Sequence, residues 1–170
     1  MRYKLTFLDY WHLSSGLSAG TKLDSTVVKD DDGVAFVPGK TIKGLLKEQA
    51  ELIDKAFALE SFGGEGVEQG SCYFSNATLH AGTKDEIVSN NLQNKLYDEI
   101  SSTKIGKNGI ADDGSLREIE ITVPLTLYGV IEYCKEKDKM EQAMKMVKRM
   151  GLNRNRGLGR CKFEVIGDAS

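Results

Sequence analysis

Apolar and polar side chains alternate in several short segments of this chain. At the N-terminus, Tyr3, Leu5 and Phe7 are separated by single polar residues, which is the period of two expected of a half-buried strand. A second alternating segment lies near the C-terminus. Within the longer alternating segment at 116–133, Pro124 predicts an edge position or a bend. The patterns predict strands over about residues 2–11, 72–79, 116–133 and 161–166.

Other segments follow the helical period of 3.6 residues. Thr41 is a plausible N-cap of a helix that continues to Phe57 with its apolar residues near one face. A last helix is predicted over 138–150, with Gly151 at the C′ position. A short helix is also expected near 92–100.

The order of these elements predicts the fold class. Two strand–helix–strand units are separated by an irregular excursion that holds two hairpin-type dipeptides, Asn108-Gly109 and Asp113-Gly114. Two helices on one face of an antiparallel sheet is the simplest packing. We therefore predict an α+β, ferredoxin-like or RRM-like domain spanning residues 1–170, with an insertion at about 83–118.

Composition excludes several other classes. The 170 residues carry 23 Lys and Arg against 25 Asp and Glu, a net charge of −2. No apolar run approaches the ~20 residues that a membrane span needs, and the first residues alternate instead of forming a signal peptide. Three widely spaced cysteines, Cys72, Cys134 and Cys161, are expected to be reduced thiols of a cytoplasmic protein and not a structural zinc site.

Positive charge is concentrated near the C-terminus. Residues 145–162 contain seven lysines and arginines and no acid, and Arg154, Arg156 and Arg160 alternate with glycines in a loop over 151–160. Glycines let a backbone approach a phosphodiester, and arginine forks bind its oxygens. The pattern favours nucleic-acid binding. A solvated loop whose arginines pair with acids elsewhere is the alternative.

A second basic position opens the first predicted helix. Gly39-Lys40-Thr41 looks like the end of a phosphate-binding P-loop, but that motif requires a glycine at position 34, which is valine. What remains is a helix N-terminus beside Lys40 and Lys43, which attracts anions such as RNA phosphates. Ordinary capping with solvated lysines is the alternative.

Two further side chains could take part in chemistry. Asp24 follows a loop of small residues and is close in sequence to Lys29, so it could hold a divalent ion or orient a 2′-hydroxyl. The aspartates at 30–32 are expected to form a solvated turn. His12 could act as a general acid–base, although a single histidine more often has a structural or hydrogen-bonding role.

Four segments resemble the signatures of one family. Residues 23–30 and 36–46 read LDSTVVKD and FVPGKTIKGLL; 62–64 and 72–77 read FGG and CYFSNA; 115–125 read SLREIEITVPL; and 151–160 read GLNRNRGLGR. Together they resemble the RAMP superfamily, specifically the backbone subunits of type III CRISPR–Cas effector complexes. The first segment is the most specific of the four.

This resemblance implies a palm domain that assembles head-to-tail along a CRISPR RNA, with a thumb hairpin that inserts into the duplex between guide and complementary target RNA. It also implies other complex subunits as partners and no membrane. Metal-dependent cleavage of target RNA would require Asp24 as catalytic residue and ligand of a divalent ion, most simply Mg²⁺. The residues expected to bind RNA are His12, Lys29, Lys40, Lys43, Arg154, Arg156 and Arg160.

Three other functions stay open. The chain could bind RNA in the same way without cutting it. It could be a guide-processing, metal-independent endoribonuclease of the same superfamily that relies on His12. It could also be an unrelated ferredoxin-like interaction domain.

Overall fold

The secondary structure alternates between strands and helices, as predicted. A computed structural model describes residues 1–16, 23–64, 69–110, 112 and 114–168. The elements in these ranges are β1 (Arg2–Phe7), α1 (Gly39–Ile53), α2 (Lys55–Phe62), β2 (Tyr73–Phe74), α3 (Ala81–Ser89), a 3₁₀ turn (Gln93–Leu96), β3 (Tyr97–Ser102), β4 (Arg117–Thr122), β5 (Thr126–Glu132), α4 (Lys137–Met146) and β6 (Cys161–Gly167). None of the helices in the described ranges has the length and apolar character needed to cross a membrane.

The main sheet has the ferredoxin-like topology. Its four strands lie in the order β2-β5-β1-β6 and each neighbouring pair is antiparallel, so β5 separates the parallel strands β1 and β2 as in a split βαβ unit. Helices α1 and α4 pack together on one face, where Leu46 and Met140 are fully buried in the same core as Tyr3 and Leu5. The predicted α+β fold class is confirmed.

The first predicted helix is two helices. Asp54 has an extended backbone, and its side chain accepts hydrogen bonds from the N–H groups of Ala56 and Phe57. The carboxylate therefore caps a new helix, α2, instead of continuing α1. Helix α1 also begins earlier than predicted, at Gly39 after Pro38, so the prediction that Thr41 is the N-cap is wrong.

The excursion between β2 and β5 differs from its prediction. The helix expected near 92–100 is a 3₁₀ turn followed by strand β3, whereas helix α3 (Ala81–Ser89) was not predicted. Helix α3 buries none of its residues, so its sequence carries no apolar periodicity. Because sequence periodicity reports burial, an exposed helix of this kind gives little pattern to detect.

Gly151 is not a helix C′ residue. Helix α4 ends at Met146, four residues before the predicted end. Gly151 does adopt a positive φ of 90°, at a point where a Cβ atom would overlap the carbonyl oxygen of His12. The glycine is therefore needed for close approach of two chain segments and not for capping.

Strands β3 and β4 form a hairpin that is separate from the main sheet. They pair antiparallel from Tyr97 opposite Thr122 to Ser102 opposite Arg117. Gly109 has a φ of 73°, in keeping with the Asn108-Gly109 turn prediction. Asp113, of the second predicted dipeptide, lies outside the described residues, as do residues 17–22 of the small-residue loop.

The hairpin is joined to the domain along β4. Trp11 and Thr122 exchange backbone hydrogen bonds, and Ser25 forms a parallel bridge to Ile119. Glu120 joins the hairpin to this segment through both its main chain and its side chain. Its main-chain N–H donates to the Ser25 carbonyl. Its nearly buried carboxylate accepts hydrogen bonds from the Val27 N–H at 3.0 Å and from Lys29 Nζ at 2.7 Å. The segment 23–29 is thus fixed to the hairpin.

Two glycines of α1 provide a matched test of how closely the start of this helix packs against β2. A Cβ atom at Gly39 would overlap the Phe74 carbonyl oxygen, whereas at Gly44 it would meet no atom within 4 Å. We expect Gly39→Ala to lower the free energy of unfolding by about 1–3 kcal/mol. Gly44→Ala should raise it by up to about 1 kcal/mol, because alanine is the better helix former. Urea denaturation of both variants checks this; equal effects would contradict the packing.

Removal of the Glu120 carboxylate should loosen the attachment of the hairpin. Glu120→Ala leaves the Val27 N–H and the Lys29 ammonium group without their acceptor, so we expect a loss of about 2 kcal/mol of unfolding free energy. Asp98→Ala, at an exposed position of the same hairpin, is the control and should change it by less than about 0.5 kcal/mol. Hydrogen exchange at Val27 should quicken in the first variant only; unchanged exchange would show that Glu120 does not hold the segment.

Candidate nucleic-acid interface

The arginines of residues 151–160 and the junction between the hairpin and β5 lie at one end of the main sheet. Strand pairing places Phe7, at the end of β1, opposite Cys161 at the start of β6, and Thr6 opposite Thr126 at the start of β5. The start of α1 lies further along the sheet, because a Cβ atom at Gly39 would overlap the Phe74 carbonyl oxygen and Phe74 pairs with Ile131, near the other end of β5. The predicted site residues are therefore divided between two regions of the surface.

The glycine-rich loop, residues 151–160, is held by backbone hydrogen bonds. Its ends bind the segment after β1, with Leu152 N–H donating to the His12 carbonyl at 2.9 Å and Gly159 N–H to the Tyr10 carbonyl at 2.8 Å. Gly159 has a φ of 71°, and a Cβ atom there would overlap the Met150 carbonyl oxygen. The loop therefore has a defined path whose arginine side chains lie on the surface.

The three loop arginines differ in their partners. Arg154 and Arg156 are exposed, and the described part of the chain brings no acid within ion-pair distance of either. Arg160 forms a fork with Asp9, with Nε to Oδ2 at 3.2 Å and Nη2 to Oδ1 at 3.3 Å. The loop thus presents two guanidinium groups for an external anion and a third that already has an internal one.

The flanking lysines are partly neutralised by acids just outside the basic stretch. Lys145 pairs with Glu141 at 2.6 Å, and Lys162 with Glu164 at 2.9 Å. Counting charge only between 145 and 162 therefore overstates the positive charge of this surface. The cations of this stretch that have no acidic partner among the described residues are Lys148, Arg149, Arg154 and Arg156.

At the start of α1, lysine ammonium groups are better placed to bind an anion than the backbone N–H groups, because several of these N–H groups already have acceptors within the protein. Gly39 N–H donates to Asn76 Oδ1, and the N–H groups of Thr41 and Ile42 to the Pro38 carbonyl. Lys40 is exposed and Lys43 half-buried. The start of α1 lies beside Phe74 of β2, level with Met1, whereas the glycine-rich loop ends opposite Phe7. The two basic groups are therefore separated by roughly 14 Å across the strands and by roughly 20 Å along them. An extended single strand could contact both.

Asp24 lies on the free edge of the hairpin. Its N–H donates to the Glu118 carbonyl, and its Oδ2 accepts from the Glu118 N–H, both at 2.8 Å. The residue is exposed. No cluster of three His, Cys, Asp or Glu side chains suited to a metal occurs in the described ranges, around Asp24 or elsewhere.

His12 has a structural position that corrects its predicted role as an RNA contact. The side chain is fully buried, with Nδ1 2.5 Å from the Glu120 carbonyl oxygen and Nε2 3.0 Å from Ser25 Oγ. Both ring nitrogens are therefore used inside the protein. The histidine connects the hairpin to the segment that carries Asp24, and its surface is not accessible to RNA.

Lys29 is also engaged by the protein. Besides the ion pair with Glu120, its ammonium group lies 3.8 Å from the centre of the Tyr97 ring. Burial and the charge of Glu120 raise the pKa of Tyr97, whose hydroxyl donates to the Gly33 carbonyl. The predicted RNA contact at Lys29 would have to compete with these interactions.

The aspartate turn at 30–32 is closed by a lysine that the sequence analysis did not consider. Lys84 of α3 pairs with Asp30 at 2.8 Å and Asp32 at 2.7 Å, and these two hydrogen bonds raise the pKa of Lys84. Desolvation acts to raise the pKa of Asp30, but Lys84 and backbone N–H groups lower it overall. The turn is a structural feature that packs α3 on the domain.

Arg117 is a basic residue that the sequence analysis missed. It begins β4, at the end of the hairpin next to the connection between its two strands, and lies with Arg156 in a polar groove. In the sequence it follows the apolar Leu116 and precedes an alternating strand, so nothing in the local pattern separates it from other strand residues. Strand pairing is what brings it to the glycine-rich loop.

The open face of the sheet does not resemble an RRM base-stacking platform. On the side away from the helices, the central strands β1 and β5 bring one aromatic side chain, Tyr128. Its cross-strand neighbour Lys4 is paired with Glu164 at 3.0 Å. RRM domains stack two or three bases on aromatics of these strands, so the loops and the hairpin are the better candidates for RNA contact.

Solved structures share this fold. A chain in the cryo-EM structure of the type III-B Cmr-beta bound to cognate target RNA matches with a TM-score of 0.74 and 10% identity, over 95% of each chain. A chain in the cryo-EM structure of the type III-B Cmr-beta in the apo state matches with a TM-score of 0.71 and 12% identity, covering 96% of this chain and 95% of that one. No curated protein sequence matches significantly.

The sequence of this chain also matches the model of a known protein family. The model of the RAMP superfamily matches residues 4–162, a range that includes the aspartate segment, α1, the hairpin and the glycine-rich loop. The resemblance drawn from the four sequence segments is thereby confirmed at the level of the family, and the chain belongs to the RAMP superfamily.

Proposed function

We propose that this chain is an RNA-binding backbone subunit of a type III CRISPR–Cas effector complex and that Asp24 takes part in cutting target RNA. The observation that carries the proposal is the glycine-rich loop, which exposes Arg154 and Arg156 without acidic partners among the described residues. Family membership and the fold shared with chains of type III-B assemblies support it. Guide and target RNA and further subunits are the partners proposed.

The guide backbone would be bound by the two exposed arginines together with Lys40 and Lys43 at the start of α1. Arginine forks and lysine ammonium groups bind phosphate oxygens without reading sequence. Such contacts suit a subunit that must accept any guide. Arg160 would contribute after releasing Asp9.

Asp24 fits a divalent ion only together with RNA. One of its carboxylate oxygens accepts the Glu118 N–H, which leaves the other to face an ion. Mg²⁺ is commonly held by one or two carboxylates, waters and substrate phosphates, so Asp24 could be the protein's ligand at a scissile phosphate. A bound ion would stabilise negative charge that develops on that phosphate. The hydrogen bond to Glu118 orients the carboxylate.

A non-catalytic subunit is the second candidate, and the position of Asp24 favours it in one respect. Its two hydrogen bonds to Glu118 give the residue a structural role in joining the segment to β4. The guide-processing alternative is weakened by the burial of His12, on which it relied. Cleavage assays of Asp24 variants separate the two remaining candidates.

Neutralising the loop arginines should weaken RNA binding and its dependence on salt. Each phosphate contact to a single strand contributes a slope of about −0.7 to a plot of log affinity against log salt. For the double variant Arg154→Gln/Arg156→Gln we expect the slope to flatten by about 0.7–1.4, equally for unrelated RNA sequences. Fluorescence anisotropy measures this, with Arg2→Gln/Lys55→Gln as a charge-matched control. An unchanged slope in the loop variant would remove the loop from the interface.

Asp24→Asn separates charge from structure, because an asparagine side-chain oxygen can still accept the Glu118 N–H. In the assembled complex with Mg²⁺ we expect this variant and Asp24→Ala to cut target RNA at least about 100-fold more slowly. Guide binding should be unchanged, and EDTA should abolish cleavage by the unmodified complex. Asp31→Ala is the control and should cut normally. Cleavage at the original positions by both Asp24 variants would remove Asp24 from its proposed catalytic role.

A further inference from the structure

A polar groove lies between the far end of the hairpin, where Ser102 pairs with Arg117, and the glycine-rich loop. Its walls come from both hairpin strands, the connection between them and the loop. The residues that line it include Ser102, Thr103, Lys104, Ser115, Arg117 and Arg156. Hydroxyl groups and cations thus dominate its surface.

The charge of this groove is positive. None of the described residues that line it is acidic. Lys104 is paired with Asp112 at 2.8 Å, whereas Arg117 and Arg156 are exposed and have no acidic partner in the described ranges. Two guanidinium groups beside one groove repel each other in the absence of an anion, and an anion bound between them would relieve this repulsion.

The two arginines are carried by a scaffold that is already packed. Leu158 of the loop forms a buried cluster with Ile119 and Ile121 of β4. Arg117 lies two residues before Ile119 on the strand and so shares its face of the hairpin. Arg156 lies two residues before Leu158 in the loop. The apolar contact therefore fixes the spacing between the elements that supply the two charges.

We propose that this groove is a phosphate subsite in which Arg117 and Arg156 together bind one phosphodiester group of an RNA strand. Guanidinium forks from two sides match the oxygens of a single phosphate, and the hydroxyls of Ser102 and Thr103 can donate further hydrogen bonds. The inference rests on the proposed RNA-binding function and adds to it a residue from the hairpin. Glu118, the partner of Asp24, follows Arg117 directly, so the bound phosphate lies beside the aspartate segment.

Salt dependence tests whether two arginines share one phosphate. We would compare the full chain with Arg117→Gln, Arg156→Gln, the double variant and Arg117→Lys, and use Arg2→Gln as the matched control. Arg117→Gln should weaken RNA binding about tenfold at low salt. The double variant should flatten the salt slope by about 0.7, the value for one phosphate, and not by the roughly 1.4 of two. Arg117→Lys should keep most of the slope, because it keeps the charge.

Measuring guide binding and target binding separately identifies which RNA supplies the phosphate. A change in slope for guide binding to the full chain would identify the phosphate as the guide's, and a change for target binding to the guide-loaded complex would identify it as the target's; either result supports the subsite. An unchanged affinity of Arg117→Gln at low salt in both steps, or a loss of about 1.4 in the slope of the double variant, would overturn it. If Arg154→Gln still flattens the slope in that case, the RNA-binding proposal stands. If the unmodified chain shows no salt-dependent RNA binding, both proposals fail.

Discussion

The pairing of strand β4 with the segment after β1 determines the arrangement of the candidate site. Glu120 is central to it, since its main chain contacts Ser25 and His12 and its carboxylate holds Val27 and Lys29. A carboxylate with so little exposure is stable only when it is hydrogen-bonded and paired. The hairpin and the segment that carries Asp24 are consequently one structural unit, although about 90 residues separate them in the chain.

Several basic side chains at this surface are neutralised by acidic partners, so its positive charge depends on which cations stay unpaired. Lysines on α4 and β6 have acidic partners on the same elements, and Lys29 has Glu120. What remains exposed without an acidic partner among the described residues near this surface is Lys148, Arg149, two arginines of the glycine-rich loop and Arg117 at the start of β4. In a chain whose net charge is −2, local placement of unpaired cations matters more than overall charge for association with an anionic polymer.

The sequence was sufficient for the elements whose side chains alternate or repeat with burial. Strands β1 and β6 and the bodies of α1 and α4 follow from apolar periodicity, the break between β4 and β5 follows from Pro124, and the ferredoxin-like class follows from the order of the elements. The sequence was insufficient where contacts with other parts of the fold determine the local structure. Asp54 divides a continuous helical pattern by capping, α3 has no buried face, and Gly151 is required by a neighbouring carbonyl group. The same reason explains the site: Arg154 and Arg156 could be chosen from local composition, but the burial of His12 and the position of Arg117 depend on pairing across the fold.

The fork between Arg160 and Asp9 gives Arg160 an internal anion that any external phosphate would have to replace. Under the proposed function, a phosphate bound at Arg160 would still release the cations condensed on the RNA, so this contact would add to the salt dependence like the others. Its gain in free energy would be smaller, because the ion pair with Asp9 is lost in the exchange. Arg154 and Arg156, which have no acidic partner among the described residues, carry no such cost.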